Sequence, residues 1–134
     1  MAERSWVVTP EDLAKGDLVK PGWYNAEIVK YEDGEAGEDA KNPGSATSKF
    51  YFKALNPETG KYFEPYRYFS ETAWGFAKTF FAAMNFPKDG ENYKVSSSLF
   101  RQTIGHKVDI YIVRGKTNKG NEFNEVKDFR PYSG

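Results

Sequence analysis

The order of its alternating segments constrains this chain most: three stretches with a period of two precede an aromatic helix, and two follow it. The first, PGWYNAEIVKY (21–31), opens with a turn and sets Tyr24, Ala26 and Ile28 against Asn25 and Glu27. The second, KFYFKAL (49–55), directs Phe50, Phe52 and Ala54 one way and Lys49, Tyr51 and Lys53 the other. Asn56-Pro57-Glu58-Thr59-Gly60 reads as a turn, so the second segment and the third, KYFEPYRYF (61–69), form a hairpin. Ser70 then caps ETAWGFAKTFFAAMNF (71–86), where Trp74, Ala77, Phe81 and Met84 repeat at helical spacing and Phe76, Phe80 and Ala83 widen the stripe toward a core. Pro87 forbids continuation. A second short helix, SSSLFRQTI (96–104), is stopped by Gly105. HKVDIYIVRG and NEFNEVKDFR are strands four and five, joined by the basic loop KTNKGN.

Three strands, a helix and a hairpin is the order of the OB-fold, whose strand 2–3 face and 1–2 and 4–5 loops bind oligonucleotides or oligosaccharides. Other small folds share this element count. The predicted fold is mainly β with one main helix: a five-stranded OB-fold-like Greek-key barrel, with the helix between strands 3 and 4. Residues 21–134 form that single domain, and residues 1–20 are an N-terminal extension. In the extension, Thr9-Pro10-Glu11-Asp12 opens a short helix that Gly16 ends. EDGEAGEDAKNPGSATS (32–48), with five acids, three glycines and no large apolar residue, reads as a long loop.

Strand three resists a simple alternation. Period two puts Tyr62, Glu64, Tyr66 and Tyr68 on one face and Phe63, Pro65, Arg67 and Phe69 on the other, so each face carries a charge. A bulge near Glu64-Pro65 would resolve the conflict, and the register stays open.

Composition excludes several chemistries. Cysteine is absent and His106 is the single histidine, which leaves no thiolate site and no set of histidines for zinc or a catalytic triad. Gly115-Lys116-Thr117 resembles the end of a phosphate-binding loop, but Ile110 stands where its first glycine belongs and a hairpin follows instead of a helix. The acids at 32–39 do not have EF-hand spacing. Glu122 and Glu125 fall on opposite strand faces and form no acid/base pair. No enzyme, cofactor or metal is expected. No apolar run reaches the roughly 18 residues that span a bilayer, and no signal-like stretch opens the chain, so a cytoplasmic protein is expected.

What composition favours is a surface that uses rings and cations. The chain has 11 Phe, 9 Tyr and 3 Trp, and a core of this size has room for about half of them. Net charge is zero, yet residues 1–39 hold 4 basic and 10 acidic side chains (−6), and residues 40–134 hold 15 and 9 (+6). Such asymmetry builds a basic face on a neutral protein. Single strands expose base planes and phosphates together, so they call for aromatics beside cations. Lys49, Tyr51 and Lys53 on strand two supply that stripe, with Lys61, Tyr66, Arg67 and Tyr68 on strand three. Tyr66 and Tyr68 fit a core or a platform equally. Arg114, Lys116 and Lys119 surround the 4–5 loop, with Phe123 just beyond it.

PGWYNAEIVKY, the aromatic helix and GHKVDIYIVRGKTNKGNEFNEVKDFRP together resemble bacteriophage OB-fold single-stranded DNA-binding proteins, over most of residues 18–131. The resemblance implies protection and handling of single-stranded DNA in phage replication or recombination, in the host cytoplasm, alongside replication or recombination proteins. Many such proteins end in an acidic tail, and Arg130-Pro131-Tyr132-Ser133-Gly134 does not. Either the acidic loop at 32–39 takes that role or the function is missing. Two other readings remain open: a protein-interaction module, such as a virion or replisome adaptor, and an oligosaccharide-binding barrel. The lysines flanking Tyr51 weigh against the last.

Overall fold

In a computed structural model, which describes residues 3–8, 18–38 and 41–134, alternation carries two long strands well past their predicted ends. Strand β1 (Gly22–Glu35) pairs antiparallel with β2 (Ala46–Asn56) from Ala26↔Ala54 to Glu35↔Ala46. The two ends of the segment read as a loop at 32–48, residues 32–35 and 46–48, are therefore strand. Its acids are tolerated because Asp33 accepts hydrogen bonds from Tyr31 and Ser97 and pairs with Arg101. Ser97 and Arg101 are remote in sequence, and composition alone could not reveal them.

A β-bulge at Val29 shifts the β1–β2 register between Ile28 and Lys30. It lets Ile28 and Tyr31, three residues apart, both face the core and turns Lys30 outward opposite Tyr51. Gly105 N–H donates to the Ile28 carbonyl (2.7 Å), and Ile28 N–H donates to the His106 carbonyl (2.9 Å). His106 thus contributes its backbone at the bulge.

Strand three is split into β3 (Lys61–Phe63) and β4 (Tyr66–Ser70), both paired with β2. Ala54↔Phe63 and Tyr51↔Tyr66 lie on one continuous register, and Phe52 N–H donates to the Pro65 carbonyl (2.9 Å) between them. The bulge expected at Glu64-Pro65 is absent. Pro65 interrupts the ladder because it lacks an N–H, without inserting a residue. Strict alternation holds: Phe63, Pro65 and Phe69 are buried with Arg67 on their face, and Tyr62, Glu64, Tyr66 and Tyr68 lie on the other.

Strands β7 (Lys107–Lys116) and β8 (Glu122–Pro131) complete one antiparallel sheet of order β3-β2-β1-β7-β8, with β4 beside β2. Between β4 and β7 come a 3-10 turn (Trp74–Ala77), helix α1 (Lys78–Ala83), a small hairpin of β5 (Lys88–Asp89) and β6 (Asn92–Tyr93), and helix α2 (Ser97–Gln102). Helix α1 is much shorter than the 71–86 span that periodicity predicts. Ser70 does not cap it but joins a turn with Thr72, and Asn85 (φ 54°) ends it in the left-handed conformation that asparagine tolerates. Ser96 does cap α2, accepting from Leu99 N–H (3.2 Å).

The sheet is not closed: no ladder joins β4 to β8 among the described residues. Phe80 of α1 plugs the interior instead, its ring centroid 4.7 Å from Phe50, 4.8 Å from Phe129 and 5.5 Å from Phe69. Phe76, read as part of the core stripe, is 72% exposed because the first turn is 3-10 and rotates it outward. Val19 is buried, and its N–H donates to Asn124 Oδ1 (3.0 Å), so the end of the predicted extension belongs to the core. The short helix expected from Thr9 lies outside the described residues. Among those residues no helix is long and apolar enough to cross a membrane.

Candidate functional site

Eleven of the 23 aromatic rings are buried, nine of them phenylalanine and only two tyrosine (Tyr24 and Tyr31). Both buried hydroxyls are satisfied, Tyr24 by the Lys20 carbonyl (2.6 Å) and Tyr31 by Asp33 and Ser48. The other tyrosines stay at or near the surface, as the cost of burying a hydroxyl requires.

Four of the residues expected at a binding face come together on the outer side of β2 and β4. Lys49 is opposite Tyr68 and Tyr51 opposite Tyr66. The Lys49 ammonium lies 4.1 Å from the Tyr66 ring centroid, 4.7 Å from Tyr51 and 4.8 Å from Tyr68. Three rings thus surround one cation, each contact contributing about 0.5–2 kcal/mol depending on desolvation. Only 7% of Lys49 is exposed, so its ammonium organises the rings rather than lying open to a phosphate. Tyr68 is 51% exposed and presents the most open ring of the three. Beside them, Tyr51 Oη donates to Glu32 (3.3 Å), and Lys30 pairs with the same carboxylate at 2.7 Å. That ion pair draws the Glu32 carboxyl below its ordinary pKa and raises Lys30.

Arg67 departs from this group. Alternation places it on the core face, at the gap between β4 and β8, where Nη1 is 3.5 Å from the Val126 carbonyl and Nε is buried with no partner. Burial pushes its pKa down, and Glu125 opposes the shift. It cannot share a surface with Tyr66 and Tyr68, because neighbours along a strand point to opposite faces. Lys61 is exposed at the start of β3.

The outer face continues across β1 and β7 with residues that the sequence reading passed over. Trp23 packs edge-on against Tyr111 (5.2 Å), and the Arg130 guanidinium lies 4.3 Å over the Trp23 ring. Asp109, on the same face, is fully buried by the returning C-terminal segment. It accepts from Asn25 Nδ2 (2.6 Å), Arg130 Nε (2.9 Å) and Ser133 Oγ (2.6 Å). Burial alone would raise the Asp109 carboxyl, but bonds from Ser133, Arg130 and Asn25 outweigh it and hold the pKa below the ordinary value. This anchor brings Tyr132 over Lys107 (5.3 Å). A cleft of about 520 Å³ opens there, with Glu27 on its floor and Lys53, Tyr62, Lys107 and Tyr132 around it. Extending the Tyr24–Ala26–Ile28 alternation one step back would have found Trp23. Nothing local in the sequence shows that the tail covers Asp109.

The third group stands apart. Arg114, Lys116 and Lys119 are exposed at the β7–β8 tip, and Phe123 is half-buried against Gly115, where a Cβ would meet its ring at 2.6 Å. Strand β1 separates this hairpin from β2, so the sheet order does not place its cations beside the Tyr51–Tyr66–Tyr68 cluster. Among the described residues no group of three or more His, Asp or Glu gathers as a metal site. No protein-family model matches this sequence, and no curated protein matches it.

Proposed function

We propose that the outer face of β2, β4, β1 and β7 binds single-stranded DNA with little sequence preference, coating or protecting it during phage replication or recombination. The observation that carries this reading is the half-buried tyrosine cluster fixed around Lys49 and open to solvent at Tyr68, with Lys53 and Tyr62 (4.6 Å) adjoining it on β2 and β3. A strand without base preference needs planes at intervals and cations between them. The ammonium–ring contacts fix those planes in advance, so little side-chain entropy is lost on binding.

The strand order β3/β4-β2-β1-β7-β8 is that of an OB-fold opened between its third and fifth strands, and we read the fold as OB-fold-like on that ground. In that architecture the strand 2–3 face and the 4–5 loop flank one binding path, which would bring Arg114, Lys116 and Lys119 to its end. The protein acts as a binding protein in the host cytoplasm, handing strands to replication or recombination enzymes.

Anisotropy of a labelled oligo-dT at two salt concentrations, with duplex DNA of equal length as competitor, tests the reading. Tight binding that weakens steeply with salt and resists duplex is the expected result. Tyr68→Ala should then lower affinity by about 1–3 kcal/mol, the range for one stacked base. Absence of binding at low salt overturns the proposal. A second reading, a protein-interaction module, is favoured by the exposed Phe76 ring. It predicts association with a protein partner that salt barely weakens.

A further inference from the structure

Glu27 stands on the floor of the outer-face cleft with a lysine on either side, since it pairs in register with Lys53 of β2 and Lys107 of β7. Neither lysine takes it as a partner. The Lys53 ammonium lies 4.6 Å over the Tyr62 ring and the Lys107 ammonium 5.3 Å over Tyr132. Among the described residues no hydrogen bond or ion pair engages the Glu27 carboxylate. A half-buried acceptor with free lone pairs therefore faces a space walled by two tyrosines, one of them 60% exposed. The cleft, about 520 Å³, falls in the size range of small-molecule sites.

An ionised carboxylate only accepts hydrogen bonds. Among the bases, guanine presents two adjacent donors on its Watson–Crick edge, N1–H and N2–H, which match the two oxygens of a carboxylate. Adenine and cytosine offer one amine beside a ring nitrogen whose lone pair would face the second oxygen. Thymine offers one N–H between two carbonyls that repel it. Lys53 and Lys107 flank the floor where the sugar–phosphate of such a base would run, and Tyr62 and Tyr132 supply stacking surface.

We propose that this cleft is a base-reading subsite that takes a single guanine, with the Glu27 carboxylate accepting from its Watson–Crick edge. The subsite rests on the single-strand reading above and adds one selective position to an otherwise tolerant face.

The test compares labelled oligo-dT with the same strand carrying one central guanine, inosine or adenine, on the wild-type chain and on Glu27→Gln. One guanine should raise wild-type affinity about tenfold, within the range a good bidentate contact gives. Inosine, which lacks the N2 amine, should keep only part of the gain. Glu27→Gln, which keeps size and removes one acceptor, should lose the guanine gain, read as the ratio of that variant's own affinities for the guanine strand and for oligo-dT. Equal wild-type affinity for all four strands overturns the subsite and leaves the single-strand reading standing. A guanine gain that survives in Glu27→Gln also overturns it. Failure to bind any strand removes the single-strand reading, and the subsite with it.

Discussion

The ribbon of β2 with β3 and β4 carries aromatic rings on both faces, and the two faces differ in what each ring touches. On the inner face Phe50, Phe52, Phe63 and Phe69 meet other rings, as in the Phe50–Phe80 and Phe69–Phe80 contacts at 4.7 and 5.5 Å. On the outer face Tyr51, Tyr62, Tyr66 and Tyr68 meet ammonium groups, from Lys49 and Lys53. Phenylalanine has no polar atom to satisfy and gains only from leaving water. Tyrosine keeps a hydroxyl that needs a partner, and so it stays where water and cations reach it. The comparison teaches that ring count alone does not separate core from platform; the side-chain oxygen and the charge opposite it do.

The sharpest way to break this comparison is to truncate one ring on each side. Phe80→Ala removes the ring that touches Phe50, Phe69 and Phe129 and should cost about 3–5 kcal/mol of stability, read by urea unfolding. Tyr68→Ala should cost under about 1 kcal/mol in the same assay, because its ring is already half in water. Similar losses for both would mean that the outer cluster is part of the core.

Next in size is the anchor on the far side of that face. The Asp109 pKa is depressed in the folded chain, so its contribution is fully present above the unfolded value and is lost as pH falls through the folded one. Stability should therefore hold at neutral pH and decline below about pH 4. Asp109→Asn should cost about 1–3 kcal/mol at pH 7 and flatten that acid limb, measured by thermal melts across pH. An unchanged acid limb in Asp109→Asn would place the titrating group elsewhere.

Much of this arrangement was legible in the sequence because period two needs only local information. The Lys49–Tyr51–Lys53 stripe, the opposing Phe50–Phe52–Ala54 face and the inward Val108, Ile110 and Ile112 follow from alternation alone. What was not legible depends on contacts distant in the chain. The bulge at Val29 is coupled to Gly105 and His106, and β1 continues to Glu35 because α2 supplies Ser97 and Arg101 to Asp33. Whether Lys49 meets solvent or three rings depends on β4 lying beside it. Strand three offers no such local answer, because Glu64 stands on one of its faces and Arg67 on the other. An open sheet edge lets the arginine face inward, since its guanidinium lies 5.5 Å over the Phe69 ring and reaches the Val126 carbonyl.

The smallest expected effect concerns that arginine, and it separates the two faces most directly. Arg67→Met keeps an unbranched stem of similar reach and removes a half-buried charge whose Nε has no partner. Replacing a buried ion by an apolar side chain of similar volume is often neutral or stabilising, so stability should stay within about 1 kcal/mol of wild type. Affinity for oligo-dT should also stay within about twofold, because the side chain points away from Tyr66 and Tyr68 and removes no outer-face cation. The two measurements are independent. A stable Arg67→Met protein that binds tenfold more weakly would place the guanidinium against phosphate after all. That result would require β4 and β8, which no ladder joins, to part and admit the strand between them.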